Sequence, residues 1–437
     1  MTPFDIGLVA LAAMGVLVLL GLYVPIALML CSFGGVWAIK GSPVLASKLL
    51  ALAANDAIAN YFFGVVPLFV LMGFIVSESG LGRDAFDVAN AAFRRFRGGL
   101  GVGTVGANAI FAAITGISIA SAAVFTKIAV PQMVRHGYTK RFAVGVVAGS
   151  SVLGMLIPPS LLLILYGIIT EQSIGDLFIA GIGPGALLTL FFVVGIVLMA
   201  TFMPGFVGRP DESDVEGLSS AELLRKGLPI SALILMVLGG IYAGYFTPVE
   251  AGAMGSIGAL VIGFCARTLD LKALWRVLVE TGLVTASICF LIIAAQMYSR
   301  MLAFSGVPSG LAGLAVDADL QFLVFMGFYI LIVVLMGMIL DSSSIMLIIV
   351  PLMLPIIIPM GVDLVWFGIV TVLAVEIGLL TPPFGISVYV IKSTLDDDTI
   401  SLSDIFRGAA PFALIMLIVL ALVVLFPPIA TGLVPVR

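Results

Sequence analysis

Apolar positions dominate this chain in long uninterrupted runs, and polar positions are confined to short punctuating segments. Runs such as 185–203 and 408–426 approach the ~20 residues that a helix needs to cross the hydrocarbon core of a bilayer. Read together with their breakers, the runs predict about ten spans. These lie roughly over 4–20, 25–39, 62–79, 142–169, 177–203, 227–246, 251–266, 278–303, 365–391 and 408–427. Two further stretches, about 101–134 and 320–360, are too long for one helix and are broken near their middles. A β-barrel would show short alternating strands, which these continuous runs exclude.

The punctuation itself repeats. Gly154-Met155-Leu156-Ile157-Pro158-Pro159 recurs as Gly378-Leu379-Leu380-Thr381-Pro382-Pro383, 224 positions on. Gly21 and Pro25 pair with Gly244 and Pro248 (223), Val130-Pro131 with Val350-Pro351 (220), and Asp176 with Asp404 (228). The chain therefore reads as two related halves, 1–206 and 227–437. Hydrophilic residues 207–226 join them as a cytoplasmic linker expected to hold a short amphipathic helix. Helix breakers in corresponding positions of two hydrophobic halves point to the binding site of a repeat-built secondary transporter.

Charge orients the halves. Arg94, Arg95 and Arg97 precede the first broken stretch, and Arg135, His136, Lys140 and Arg141 follow it. Basic loops favour the cytoplasmic side, so both ends of 101–134 share that side and the stretch is a re-entrant hairpin. The second stretch is flanked by Asp317, Asp319 and Asp363 without basic residues, and enters from the opposite face. One hairpin from each face is what an inverted repeat requires. Basic segments 209–226, 267–276 and 392–407 join the cytoplasmic set, whereas Lys40 and Lys48 fall outside it against the trend. The expected fold class is an all-α polytopic membrane protein: two inverted repeats, about ten transmembrane helices and two re-entrant hairpins.

Composition agrees and narrows the chemistry. The 437 residues are 62% hydrophobic and only 10% charged, with a mean hydropathy of +1.27. A soluble domain carries about 25% charged residues. A net charge of −4 gives no case for nucleic acid. Cys31, Cys265 and Cys289 sit in apolar sequence without metal-ligand spacing and read as packing residues. The single histidine, His136, lies in a basic loop, which argues against a metal centre or proton relay built on histidine. The first apolar run lacks a basic leader and a small-residue cleavage site, and reads as a retained span.

The polar residues at the breaks are the candidate chemistry. The first hairpin breaks at Thr115-Gly116-Ile117-Ser118-Ile119-Ala120-Ser121, the second at Leu340-Asp341-Ser342-Ser343-Ser344. Non-helical backbone at membrane depth is tolerated only inside protein or along an aqueous cavity. Its carbonyls and hydroxyls are hard oxygen ligands suited to Na⁺ or a polar substrate. Each tip is expected to face the break in the following span. The first partner runs from Gly149-Ser150-Ser151 through Gly154 to Pro158, and the second from Glu376 through Gly378 to Thr381 and Pro382. Small residues in membrane helices also serve close packing, so a single serine here has two readings. Asp341, an acid inside an apolar run, is a candidate cation ligand or coupling residue. Glu250 reads better as a helix cap. Lys127 reads as snorkelling to the cytoplasmic side or pairing with an acid, Arg300 as a span end, and Glu376 as a ligand or half of an ion pair.

These residues carry a family resemblance. Gly116–Ser121 with Pro131, Leu156-Ile157-Pro158-Pro159-Ser160 through Tyr166-Gly167, and Ser173-Ile174-Gly175-Asp176-Leu177-Phe178 belong to it. So do Phe246-Thr247-Pro248-Val249-Glu250-Ala251-Gly252 and Gly378–Pro383, in order along nearly the whole chain. The chain resembles the large membrane subunit of tripartite ATP-independent periplasmic (TRAP) transporters. The resemblance implies a fold like the broader ion-transporter superfamily, with a static scaffold and a mobile transport domain moving as an elevator on the Na⁺ gradient. It implies a bacterial inner-membrane location and organic-acid substrates such as dicarboxylates, sugar acids or sialic acid. It also implies two partners, a small membrane subunit of about four helices and a soluble periplasmic binding protein. By the same resemblance Ser118, Ser121, Ser150 and Gly154 help form one Na⁺ site, and Asp341, Ser342, Gly378 and Thr381 another, with Na⁺ as coupling ion and no other cofactor.

Two rivals bound this reading. A stand-alone Na⁺/dicarboxylate symporter of the same superfamily would need no binding protein. A membrane-embedded enzyme would need paired catalytic acids, a Ser–His pair or a metal cluster, and the sequence offers none of these.

Overall fold

Helix-starting residues decide where the apolar runs become helices. Ser, Thr and Asp side chains cap the first turns at Thr2, Ser42, Thr139, Ser173, Ser219, Thr247, Asp270 and Ser401. Each satisfies an N–H that the helix itself cannot. Glu250 closes a capping box with Thr247, as its sequence context suggested. The computed structural model describes residues 1–93, 95–209, 218–317, 321–395, 397 and 399–435. Arg94, Asp319 and linker positions 210–217 lie outside the described residues.

The chain is all-helical. Among the described residues, 7 helices are long and apolar enough to span a bilayer: Tyr61–Glu78, Lys140–Thr170, Ile174–Phe202, Ser220–Tyr242, Pro248–Cys265, Leu271–Ser305 and Leu402–Leu425. They coincide with seven of the expected spans. Pro3–Leu19 and Val24–Lys40 are shorter apolar helices, and the expected span 365–391 is divided into Leu364–Leu380 and Ile386–Thr394. Both hairpins form near their expected places, as Gly99–Thr115 with Ser118–Arg135 and as Phe322–Gly337 with Ser342–Ile357. The spacing of the halves persists in backbone geometry. Gly21 and Gly244 are both left-handed, at φ 87° and 74°, just before the helices that begin Val24-Pro25 and Pro248.

The structure adds elements that the apolar pattern did not announce. Helix Pro43–Ala59 was not anticipated, because Lys48, Asn55 and Asp56 dilute its apolar pattern; Asp56 is paired with Arg300. Arg300 lies near the C-terminal end of the 35-residue helix Leu271–Ser305. The linker's expected short amphipathic helix falls partly on 210–217, outside the described residues; from Ser220 on, the linker is already helical and runs into the helix that continues to Tyr242. Leu81–Phe93 is amphipathic: it buries Leu81, Ala85, Phe86 and Ala89 and turns Asp84 and Asp87 towards Lys226. Lys40, out of place by charge, lies 4.6 Å from the Phe304 ring centroid, a favourable cation–π contact.

The basic segments meet. Thr139 donates its backbone N–H to the Val207 carbonyl at 2.9 Å. Lys140 pairs with Asp397 at 2.5 Å and Arg141 with Asp404 at 2.8 Å. Arg276 pairs with Glu78. Above these contacts Lys140–Ser151 crosses Leu402–Leu425 backbone against backbone. A Cβ on Gly145 would stand 2.2 Å from the Gly408 carbonyl oxygen.

Two outcomes follow from this crossing and the pairs beneath it. Gly145→Val should lower the melting temperature and folded yield in detergent, at a cost of about 1–3 kcal/mol from overpacking. Gly282→Ala, with no neighbour within 4 Å, should leave both near wild type. Separately, the Lys140 ammonium donates to the Asp397 carboxyl and holds it below the usual carboxylate range. A depressed carboxylate stabilises the fold above its unfolded value, about 3.9, and that contribution is lost as pH falls further. Protection factors of amides 140–142, which correct for the intrinsic pH dependence of exchange, should therefore fall on acidification from pH 4 to 2, and Asp397→Asn should remove most of that dependence.

Candidate functional site

Gly116 sets the tip of the first hairpin. At φ 65° it ends one arm in the left-handed region, where a side chain is strained, and a Cβ would stand 2.2 Å from the Pro159 carbonyl oxygen. Its own carbonyl accepts from Leu161 N–H at 3.1 Å, so tip and broken helix share a backbone hydrogen bond. Gly154 lies against the same turn, where a Cβ would be 3.0 Å from Ser118 N. Behind the tip, Ser121 donates to Asn108 Oδ1 at 2.5 Å and Asn108 Nδ2 donates to Ser150 Oγ at 2.8 Å. Ser150 in turn donates to the Val146 carbonyl at 2.7 Å. One asparagine thus ties both arms of the hairpin to the broken helix, all fully buried.

The second hairpin repeats the plan with different atoms. Gly337 and Gly378 cross so closely that a Cβ on either would lie within 3 Å of the other's Cα. Gly385 N–H reaches the Met338 carbonyl at 3.4 Å, the counterpart of the Leu161–Gly116 bond. Asp341 caps the returning arm: its carboxylate accepts from Ser344 N–H at 3.1 Å and from Ser344 Oγ at 2.5 Å. Thr381 donates to the Ile377 carbonyl at 2.7 Å. Both prolyl pairs, Pro158-Pro159 and Pro382-Pro383, are cis. The two broken helices cross where the Tyr166 ring lies on Gly368, and Tyr166 donates to the Leu364 carbonyl at 2.5 Å.

The halves converge on one carboxylate. Glu376 is the one charged side chain fully buried among the described residues. Its Oε1 accepts from Ser342 Oγ at 3.2 Å, while Oε2 has no hydrogen-bond partner. Ser118 Oγ, also fully buried and without such a partner, lies near enough to interact with the same carboxyl. Ser118 and Ser342 are the first residues of the two returning arms. Two helix N-termini, carrying partial positive charge, therefore begin beside one acid that forms no ion pair among the described residues. An acid at this depth without a basic partner is the expected mark of an ion or substrate pathway.

Residues 8–429 match the family model of the tripartite ATP-independent periplasmic transporter, DctM component. The chain belongs to this family. It is 34% identical over 387 residues to the C4-dicarboxylate TRAP transporter large permease protein DctM of Pseudomonas aeruginosa, covering 88% of this chain and 89% of the relative. It is 31% identical over 374 residues to the sialic acid TRAP transporter large permease protein SiaM of Vibrio cholerae, covering 85% of each. In fold it is similar to the Alcanivorax borkumensis YdaH transporter, with a TM-score of 0.60 at 16% identity over 89% of this chain and 90% of that one. The chain is thus a TRAP large permease subunit, a multi-pass membrane protein and a transporter component, not an enzyme.

In this TRAP permease the residues singled out by sequence fall into two groups. Gly116, Ser118, Ser121, Ser150, Gly154 and Pro158 are buried together around the first tip. Ser342, Glu376 and Gly378 are buried around the second, with Asp341, Ser343 and Thr381 half-buried beside them and Pro382 exposed. Lys127 is exposed on the first hairpin's returning arm. Sequence reasoning missed Asn108 and Ser387. A lone amide eight residues before a break, in an otherwise apolar arm, was the available signal for Asn108. Ser387, fully buried and without a hydrogen-bond partner, follows the second prolyl pair.

Asn108→Ala should leave Ser121 unpaired and lower the melting temperature by an amount equivalent to about 1–2 kcal/mol, the upper end for buried polar contacts in membrane proteins. In a Ser121→Ala background the same change should cost measurably less. Additive losses would show that the three side chains do not act as one bridge.

Proposed function

We propose that this subunit imports an organic anion across the bacterial cytoplasmic membrane by Na⁺-coupled alternating access. In this reading the two hairpins and two broken helices form one transport body, moving as an elevator against a scaffold built from the remaining spans. A periplasmic binding protein delivers the substrate, and a small membrane subunit of about four helices braces the scaffold. The relatives named for C4-dicarboxylate and sialic acid make a carboxylate the substrate class of choice.

The observation that carries the reading is the convergence of both hairpin tips on Glu376, with Ser118 Oγ and Glu376 Oε2 left unpartnered in a fully buried setting. Buried polar atoms without partners are costly, and a cation between them offsets that cost. The oxygen donors nearby are hydroxyls, carboxylates and the carbonyls of unwound backbone, a hard set that suits Na⁺. Ser118, Ser121, Ser150 and Gly154 would form one site, and Asp341, Ser342, Gly378 and Thr381 the other. Coupling then follows from charge. An anion alone is repelled by Asp341, and cations bound first remove that repulsion. Each net positive charge moved inward gains about 2.3 kcal/mol per 100 mV of inside-negative potential.

Asp341 gives a clean test because its capping and coupling roles separate. Asn caps a helix about as well as Asp. Asp341→Asn should therefore keep the melting temperature measured without Na⁺, while its Na⁺-dependent stabilisation and Na⁺-driven uptake by reconstituted vesicles fall at least tenfold. Uptake equal to wild type at limiting Na⁺ would sink the coupling role and leave Asp341 as a cap only.

A further inference from the structure

A cavity of about 640 Å³ lies between Pro3–Leu19, Leu271–Ser305 and both arms of the second hairpin. Met14 and Gly15 line one side, and Met336, Leu340, Ile348 and Met353 the other. No charged side chain borders it, and Tyr298 and Tyr329 bring the only side-chain oxygens. Tyr329 Oη is already bonded to Thr371 Oγ1 at 2.7 Å. Phe328, Ile332 and Ile339 also line the cavity and are exposed. The space therefore opens on the outer surface of the hairpin, among the exposed side chains of Leu323, Leu331 and Leu335. Gly15 leaves a gap in the wall: a Cβ there would meet nothing within 4 Å.

We propose that an acyl chain of a membrane phospholipid occupies this cavity and completes the packing of the second hairpin. An empty space of this size forfeits the dispersion contacts of every side chain around it. Water does not replace them, because a buried water needs two to four polar partners and this lining offers almost none. Apolar cavities of about 150 Å³ already take up small hydrocarbons, and this one is several times larger. The medium at its mouth is the bilayer, which supplies hydrocarbon chains. A helix of a partner protein fits the lining poorly. Close helix approach in membranes uses small residues, whereas here Phe, Tyr, Leu, Ile and Met side chains surround the single Gly15. A thin, flexible chain threads between such side chains where a helix backbone does not. Leu340, which precedes Asp341, is part of the wall, so the bound chain lies directly behind the second tip.

The test uses the full chain, alone and with its small subunit, in vesicles of phosphatidylethanolamine and phosphatidylglycerol. A trace of phosphatidylcholine carries a photoactivatable diazirine in its acyl chain, and labelled residues are mapped by mass spectrometry. Exposed Leu323 and Leu331 report contact with bulk lipid, whereas buried Met14, Ile348 and Met353 report the cavity. Both sets should be labelled in the wild type, with and without the small subunit. Gly15→Phe, which fills the cavity from its open wall, should abolish labelling of the buried set and spare the exposed set. Gly15→Leu, a smaller plug, should reduce it. Gly282→Phe, at a site that is likewise free of neighbours and does not line the cavity, should change neither. Returning the phospholipid to delipidated protein should raise the melting temperature of the wild type more than that of Gly15→Phe, since a ligand stabilises only the state that binds it. An unlabelled buried set, or labelling that persists in both folded Gly15 variants, would overturn the proposal. So would labelling of the buried set that the small subunit blocks, which would assign the cavity to a protein helix. No arm of the test reads uptake, so its failure leaves the transport reading where it stands.

Discussion

Every unwound peptide group inside the bilayer has to find a partner within the protein, and this structure meets that demand across elements. Leu161 N–H reaches the Gly116 carbonyl, and Gly385 N–H reaches the Met338 carbonyl. Each broken helix thus hands a backbone group to the hairpin facing it. With no water available to replace such bonds, hairpin and break cannot part without leaving polar groups bare. The glycines follow from this demand. Backbone reaches backbone only where no side chain intervenes, which is why Gly116, Gly337 and Gly378 stand at these contacts.

Within that shared plan the halves are specialised. The first half ties Ser121, Asn108 and Ser150 into one bridge and caps a half-helix with Ser160, leaving Ser118 at its tip. The second leaves its hydroxyls and carboxylates at the tip, with Asp341 and Glu376 close by and the prolyl pair exposed.

Much of this was legible in the sequence, and the reasons for the rest are physical. The hairpins and broken helices announced themselves because glycine, proline and serine interrupt apolar runs at matched positions, and an interruption leaves a local signal. Helix Pro43–Ala59 left none. Its Lys48, Asn55 and Asp56 look unfavourable for a membrane until Arg300, nearly 250 positions away in the chain, supplies a partner for Asp56. Asn108 and Ser387 escaped for the converse reason. Each is a single polar residue whose meaning depends on what faces it, and only packing shows that. Asp341 was recognised as exceptional, yet the capping bonds to Ser344 that hold it in place could not be read from composition.

One asymmetry between the halves reaches beyond the site. Pro43–Ala59 and Tyr61–Glu78 are separated at Asn60, whereas the second half runs the corresponding stretch as the unbroken 35-residue helix Leu271–Ser305. At 1.5 Å per residue that helix is about 52 Å long, against a hydrocarbon core of about 30 Å. It packs on Val24–Lys40 and also on Ser342–Ile357, the arm that begins beside Glu376. A single rod longer than the hydrocarbon core thus joins Val24–Lys40 to the arm that begins beside Glu376, where the first half divides the same length between two helices.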